Sequence, residues 1–246
     1  MDSATFHRNN MNLNKNQSQE GICLHIGCGI KVVERWKNID SSPSLRLSKF
    51  PFVGSSICRL IGAPNWPEIA QCGDVLKGIN IPNSSCDLIY AAHVFEHLSY
   101  IDFSQALDNV YNYLKPGGIV RIIVPDLEKY IQTYIKNRSD NQREHQAAFE
   151  FMYHSFIGHQ GSRSHIYQRI KEIFSNYRHQ WMWDIPSLKT AFANQGFTQI
   201  RQCQYGDWLD SRFALVEVEE VHVGSICIEA IKPTGTIKND SCATLK

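Results

Sequence analysis

The chain has 246 residues, 43% of them hydrophobic and 20% charged, which suits one large globular domain with insertions of its own. Its 25 Lys and Arg against 24 Asp and Glu leave a net charge of +1, so no global basic field points to a nucleic-acid partner. No apolar run approaches the ~18 residues of a membrane helix, and the start lacks the basic-then-apolar pattern of a secretory signal; no membrane insertion and a cytoplasmic location are therefore expected.

Residues 1–20 are rich in Asn, Gln and Ser and offer little to bury, so a disordered lead is expected there. Ile22 to Ile26 then reads as a central buried strand that runs into the turn Gly27-Cys28-Gly29. The two glycines let the backbone turn sharply and approach a ligand, and a short helix expected over residues 30–35 would offer unpaired amide groups. Trp36 to Asp40 is a second strand ending in an acid. A dinucleotide site would want a glycine at position 32 and an acid about 20 residues on; Val32 and the early Asp40 instead suit a smaller adenosine ligand. Pro43, Pro51, Pro64 and Pro67 break up residues 41–67 into an irregular, lid-like segment with one helical turn around Ile57 to Ile61.

Ile69 to Val75 is a third strand that carries Asp74, and Asp87 to Ala92 a fourth. Phe103, Leu107, Val110, Tyr111 and Leu114 recur at helical spacing, and Lys115-Pro116-Gly117-Gly118 stops that helix before a fifth strand over Ile119 to Val124. Residues 127–183 form a helical insertion with patterns over Leu127 to Ile135 and Phe149 to Phe156. Asp184 is placed to cap a helix that runs through Ala193 and is closed by Gly196, and two β runs follow, Phe197 to Tyr205 and Ser225 to Lys232. Residues 234–246 read as a flexible tail, and 21–233 as the folded domain. Eight cysteines, at 23, 28, 58, 72, 86, 203, 227 and 242, contain no Cys-x-x-Cys pair and read as reduced core residues. The alternation of strand and helix predicts an α/β fold, a doubly wound and mostly parallel sheet with its ligand outside the carboxyl ends of the strands.

Taken in order, the glycine turn, Asp40, Asp74, the Asp87 strand and Leu-Lys-Pro-Gly-Gly resemble the class I S-adenosylmethionine-dependent methyltransferases. Leu-His-Ile-Gly-Cys-Gly, Trp-x-Asn-x-Asp, His-Val-x-Glu-His-Leu and Val-Pro-Asp-Leu are similar to a bacterial, methyltransferase-11-like subgroup, over roughly residues 22 to 232. The resemblance implies a seven-stranded Rossmann-like sheet and S-adenosyl-L-methionine as cofactor. It implies that Gly27, Cys28 and Gly29 lie against the methionine moiety, that Asp40 takes the ribose hydroxyls, that Asp74 and Val75 flank the adenine, and that Ala92 and His93 lie beside the sulfonium. Two features depart from the family pattern: His25 stands where an acid is usual, and the interval from Gly29 to Asp40 is short.

The expected acceptor is a small or saccharide-like molecule methylated on oxygen or nitrogen. His93, His97 and His179 are the candidate bases, because imidazole titrates near neutrality. His93-Val94-Phe95-Glu96-His97 also matches the His-x-x-Glu-His motif of inverted zinc peptidases, but no third ligand is signalled and the motif directly follows a strand, so no metal is expected. A protein that binds the cofactor without catalysis is the other alternative. His145, His154, His159 and His165 read as solvated, whereas Trp181 and Trp183, next to His179, either wall an acceptor pocket or pack the insertion onto the sheet.

Overall fold

The computed structural model describes residues 21–158 and 178–235. The expected disordered lead, His159, His165 and nearly all of the expected tail lie outside the described residues. Seven strands, β1 (Ile22–Ile26), β2 (Trp36–Asp40), β3 (Ala70–Cys72), β4 (Cys86–Ala92), β5 (Leu114–Pro125), β6 (Thr198–Cys203) and β7 (Ser225–Ile231), form one sheet in the order β3-β2-β1-β4-β5-β7-β6. β1 to β5 pair in parallel, while β7 runs antiparallel to both β5 and β6. The mostly parallel sheet expected from the alternation of elements, with the seven strands that the resemblance implies, is the one found.

One face of the sheet is covered by α3 (Tyr100–Tyr113) and α6 (Ile185–Asn194). Phe103, Ala106, Leu107, Val110 and Tyr113 recur every three or four positions on α3, so a single stripe meets Leu24, Ile89 and Ile122 of the strands. Ser99 starts the helix by accepting the Asp102 amide at 3.2 Å, and a capping box of Asp184 and Ser187 starts α6. Truncating the fully buried Phe103 to alanine is the kind of change that costs about 3–5 kcal/mol. On the other face Cys23, Trp36, Tyr90 and Ile123 pack against Phe213 and Val216, from the excursion between β6 and β7. The excursion is fixed by Arg121, which is fully buried and bonds Glu217 at 2.6 Å and Glu229 at 2.8 Å.

The helix expected over residues 30–35 does not form, and nine residues of irregular loop return the chain from β1 to β2. The Asn38 side chain replaces it as the support: its amide donates to the Val33 and Trp36 carbonyls, and its oxygen accepts the Val33 amide at 3.0 Å. Residues 41–67 are more regular than expected, with α1 (Pro43–Ser48) and α2 (Gly54–Leu60) between the prolines. β5 begins at Leu114, directly after α3: Leu114 pairs with Cys86 and Ile119 with Leu88, so Lys115 to Gly118 bulge out of the ladder around Gly117 at φ 81°. In the insertion, α4 (Leu127–Arg138) and α5 (Ala147–His154) fall where the two helical patterns lie.

Candidate active site

The carboxyl ends of β1, β2, β3 and β4 meet at one edge of the sheet, because all four strands run the same way. A cleft of about 380 Å³ opens there. Gly27, Asp40, Asp74, Val75, His93 and His97 line it, so six positions singled out in the sequence share one hollow. Ser41, Ser42 and Lys77, on irregular chain, and Arg46, on the short α1, join them without any signal in the sequence.

Gly27 lies at φ 68°, and a Cβ there would stand 2.2 Å from Val94 Cγ2, so the turn and the start of the β4 loop touch only because this residue has no side chain. Gly29, at φ 53°, faces open space. The amides of the turn are not free, as the expected helix would have made them: Gly27 and Cys28 donate to the Ile39 carbonyl at 2.8 and 3.1 Å, and Gly29 donates to Asp40 Oδ2 at 2.9 Å. The Cys28 side chain points away from a ligand into a small core with Leu45 and Ala70, where burial pushes its thiol pKa up to about 12.

Asp40, 8% exposed, accepts the Ser42 amide on Oδ1 at 2.8 Å as well. Each of its oxygens therefore holds one backbone amide and keeps acceptor capacity for a hydroxyl pair. This carboxylate both shapes the turn and faces the cleft. Asp74 accepts the Leu76 amide at 3.0 Å, and the Val75 carbonyl is held by Asn109 at 2.7 Å. His25 is buried neutral: burial draws its pKa down to about 4, against the bond to Asn38, and its ring packs on Tyr90 with centroids 5.4 Å apart. It serves the sheet and leaves the ligand side to Asp40.

β4 ends at the half-buried Ala92, and His93 turns the chain at φ 55°. A 3-10 turn over Phe95–His97 follows, anchored by Phe95 packed edge-on against Phe103 at 5.6 Å. His93 meets an acceptor at each ring nitrogen, Glu96 Oε1 at 3.1 Å and the Val221 carbonyl at 3.0 Å. Burial lowers its pKa, but the hydrogen bond and charge of Glu96 and the Val221 carbonyl outweigh that and leave it raised. A ring that donates at both nitrogens has no lone pair to act as a base. His97 differs: Nδ1 donates to the Arg178 carbonyl at 3.0 Å, which leaves Nε2 as the basic atom.

His179 does not line the cleft. It stands behind His97, with ring centroids 5.1 Å apart, and its Nε2 lies 3.9 Å from Glu96 Oε1. Gln180 and Trp181 both donate their amides to the Glu96 carbonyl, which staples the returning insertion onto the turn and brings His179 to it across more than 80 residues of sequence. The i and i+4 metal grip of an inverted zinc peptidase is not formed, because residues 93–97 are not on one helix and His93 is occupied. Trp183 is 2% exposed and packs on Phe103 at 4.4 Å, so it ties the insertion to the core, whereas Trp181 is exposed and rests on Tyr100. A larger hollow, about 480 Å³, lies between α4 and α5 and is lined by Tyr130, Tyr134 and Phe151 among others, but it contains none of the strand-end carboxylates.

The model of a family described as a methyltransferase domain matches residues 4–202. No curated protein matches the chain. Among solved structures, similar chains occur in the complex of the Haloferax volcanii Trm112 methyltransferase activator with its methyltransferase (13% identity, 87% of this chain and 83% of that one, TM-score 0.45) and in a SAM-dependent methyltransferase of Thermotoga maritima (16%, 87% and 82%, TM-score 0.42). Another is a SAM-dependent methyltransferase of Archaeoglobus fulgidus (15%, 86% and 86%, TM-score 0.41). The family match, over most of the chain, carries the assignment. The chain belongs to the methyltransferase-domain family and is a class I S-adenosylmethionine-dependent methyltransferase.

Proposed function

We propose that the protein transfers the methyl group to an oxygen or nitrogen of a small-molecule or saccharide-like acceptor, in the cytoplasm and without a nucleic-acid partner. The observation that carries this reading is the shared cleft: Gly27, Asp40, Asp74 and Val75 at one end and two histidines, His93 and His97, at the other. We assign Asp40 to the ribose hydroxyls, Asp74 and Val75 to the adenine, and the Gly27-Cys28-Gly29 backbone to the methionine moiety. Ala92 and His93 stand at the sulfonium end. Bound S-adenosylmethionine supplies an electrophilic methyl group; the protein's own contribution is to hold the acceptor in line at about 3–3.5 Å and to exclude water.

In this reading residues 41–67 and the described parts of the insertion, 127–158 and 178–183, close over the cleft of the domain 21–233. The aromatic faces of Tyr130, Tyr134 and Phe151 in the neighbouring hollow favour a ring-shaped acceptor. Of the three candidate bases, His97 has the free lone pair, and we give it the acceptor proton; His93 and His179 position it through Glu96 and by ring contact. His97→Ala should lower turnover by roughly 10²- to 10⁴-fold, with S-adenosylhomocysteine affinity retained. Release of S-adenosylhomocysteine across a panel of sugars, phenols and amines reads both, and full turnover in the variant removes His97 from the chemistry.

A further inference from the structure

We infer that Glu96, His97 and His179 form a binding site for one divalent transition-metal cation at the histidine end of the cleft. Each residue offers a ligand atom, and the three atoms lie within 4.8 Å of one another. The set draws on two segments far apart in the sequence, the 3-10 turn after β4 and the returning insertion, stapled together through the Glu96 carbonyl.

Two independent observations point to a ligand. Glu96 is fully buried, His93 occupies only its Oε1, and Oε2 has no hydrogen-bond partner. A buried carboxylate oxygen left open is costly unless a hydrogen-bond donor or a cation fills the place. His179, with a side chain 8% exposed and the Ser155 backbone beside its ring, turns Nε2 toward the Glu96 carboxylate at 3.9 Å without a hydrogen bond to it. His97 is already oriented as metal-binding histidines are: its Nδ1 donates to a backbone carbonyl, which fixes the tautomer that presents Nε2. His93 orients the carboxylate from the far side.

The other cluster of this type among the described residues shows the contrast. Glu217, His222 and Cys227 also lie close together, but both oxygens of Glu217 are taken, one by Arg121 and His222 and the other by Trp208. That cluster has no open position.

Two imidazoles and one carboxylate suit zinc, manganese, iron or cobalt rather than magnesium or calcium, which prefer all-oxygen sites. With three protein ligands, positions remain for an acceptor hydroxyl, and His97 places the cation at the cleft wall. The catalytic part of this inference rests on the methyl-transfer reading above. A hydroxyl bound to the cation is more acidic and loses its proton to solvent; its oxygen then bonds the methyl carbon as the methyl–sulfur bond breaks, with the electron pair kept by sulfur. In this form His97 serves as a ligand and the cation takes over its task as a base.

The test uses the full chain, stripped with a chelator and titrated with Co²⁺ while visible absorption is followed, with S-adenosylhomocysteine binding measured on the same sample by calorimetry. One equivalent of Co²⁺, displaced by Zn²⁺, is expected. In His97→Ala and His179→Asn, Co²⁺ affinity should fall by at least roughly 10- to 100-fold while S-adenosylhomocysteine still binds, which certifies the fold; the exposed His154→Asn should bind Co²⁺ unchanged. Protein that binds S-adenosylhomocysteine but shows no saturable Co²⁺ spectrum overturns the site, as does His179→Asn with wild-type Co²⁺ affinity. Loss of S-adenosylhomocysteine binding in the wild type would instead overturn the cofactor reading, with the Co²⁺ titration still deciding the metal.

Discussion

Two groups of buried carboxylates in this molecule have opposite states of completion. Glu217 and Glu229 are fully buried side chains whose every oxygen is taken, by Arg121, Arg201, Trp208, His222 and the Leu209 amide. Together with the Gln204 and Asp207 carbonyls, also held by Arg121, they pin the β6–β7 excursion to the sheet. Glu96 is just as buried, yet one of its oxygens is open and the histidines around it are unevenly paired. Buried charge is tolerated when it is complete; an incomplete buried set at the wall of a cleft signals chemistry rather than support. Asp40 lies between the two, closed toward its own backbone and open toward the cleft.

Removing a partner should separate these cases. Arg121→Met keeps most of the side-chain volume but leaves two buried carboxylates unpaired, and it should destabilise the fold by about 3–5 kcal/mol in urea denaturation. An unchanged midpoint would mean that the excursion is held by its apolar contacts alone. Asp40→Ala should act on both sides of its position: about 1–3 kcal/mol of S-adenosylhomocysteine affinity, and roughly 1–2 kcal/mol of stability through the lost bonds to Gly29 and Ser42. Calorimetry and melting on the same variant read the two effects, and a change in stability alone would place the ribose elsewhere.

Glu96→Gln should be the mildest to the fold, about 1 kcal/mol or less, because it removes a charge that is only half paired. Its pH dependence is the sharper readout. The folded-state pKa of His93 is raised above its ordinary ~6.5, so the stability His93 contributes is full below that pH and is lost as pH rises through the raised value. Melting temperature in the wild type should therefore carry a component that declines with pH above ~6.5. Glu96→Gln should flatten it, and the same slope in both proteins would mean that Glu96 is not what holds the His93 proton.

Much of the frame was legible in the chain because it depends on local pattern. The apolar run Ile22 to Ile26, the stripe from Phe103 to Val110 and the Asp184 cap each announce their element within a few residues, and each element is present. The reading failed where a side chain replaced an element. Nothing local marks Asn38 as the support of a helix-free crossover, although the short interval from Gly29 to Asp40 is its trace. The glycine turn was visible, but not that its amides would be consumed by β2.

The candidate site divides along the same line. Glycines, strand-end acids and the histidine motif are types and spacings, so the sequence by itself determined the parallel sheet, the edge at which the cleft opens, and the family. Only the tertiary structure decided that His93 is occupied at both nitrogens, that Trp183 belongs to the core, and that His179 comes to rest beside Glu96. Those outcomes depend on which groups remain unpaired after distant segments pack, and pairing across some 80 residues leaves no periodicity in the chain to read.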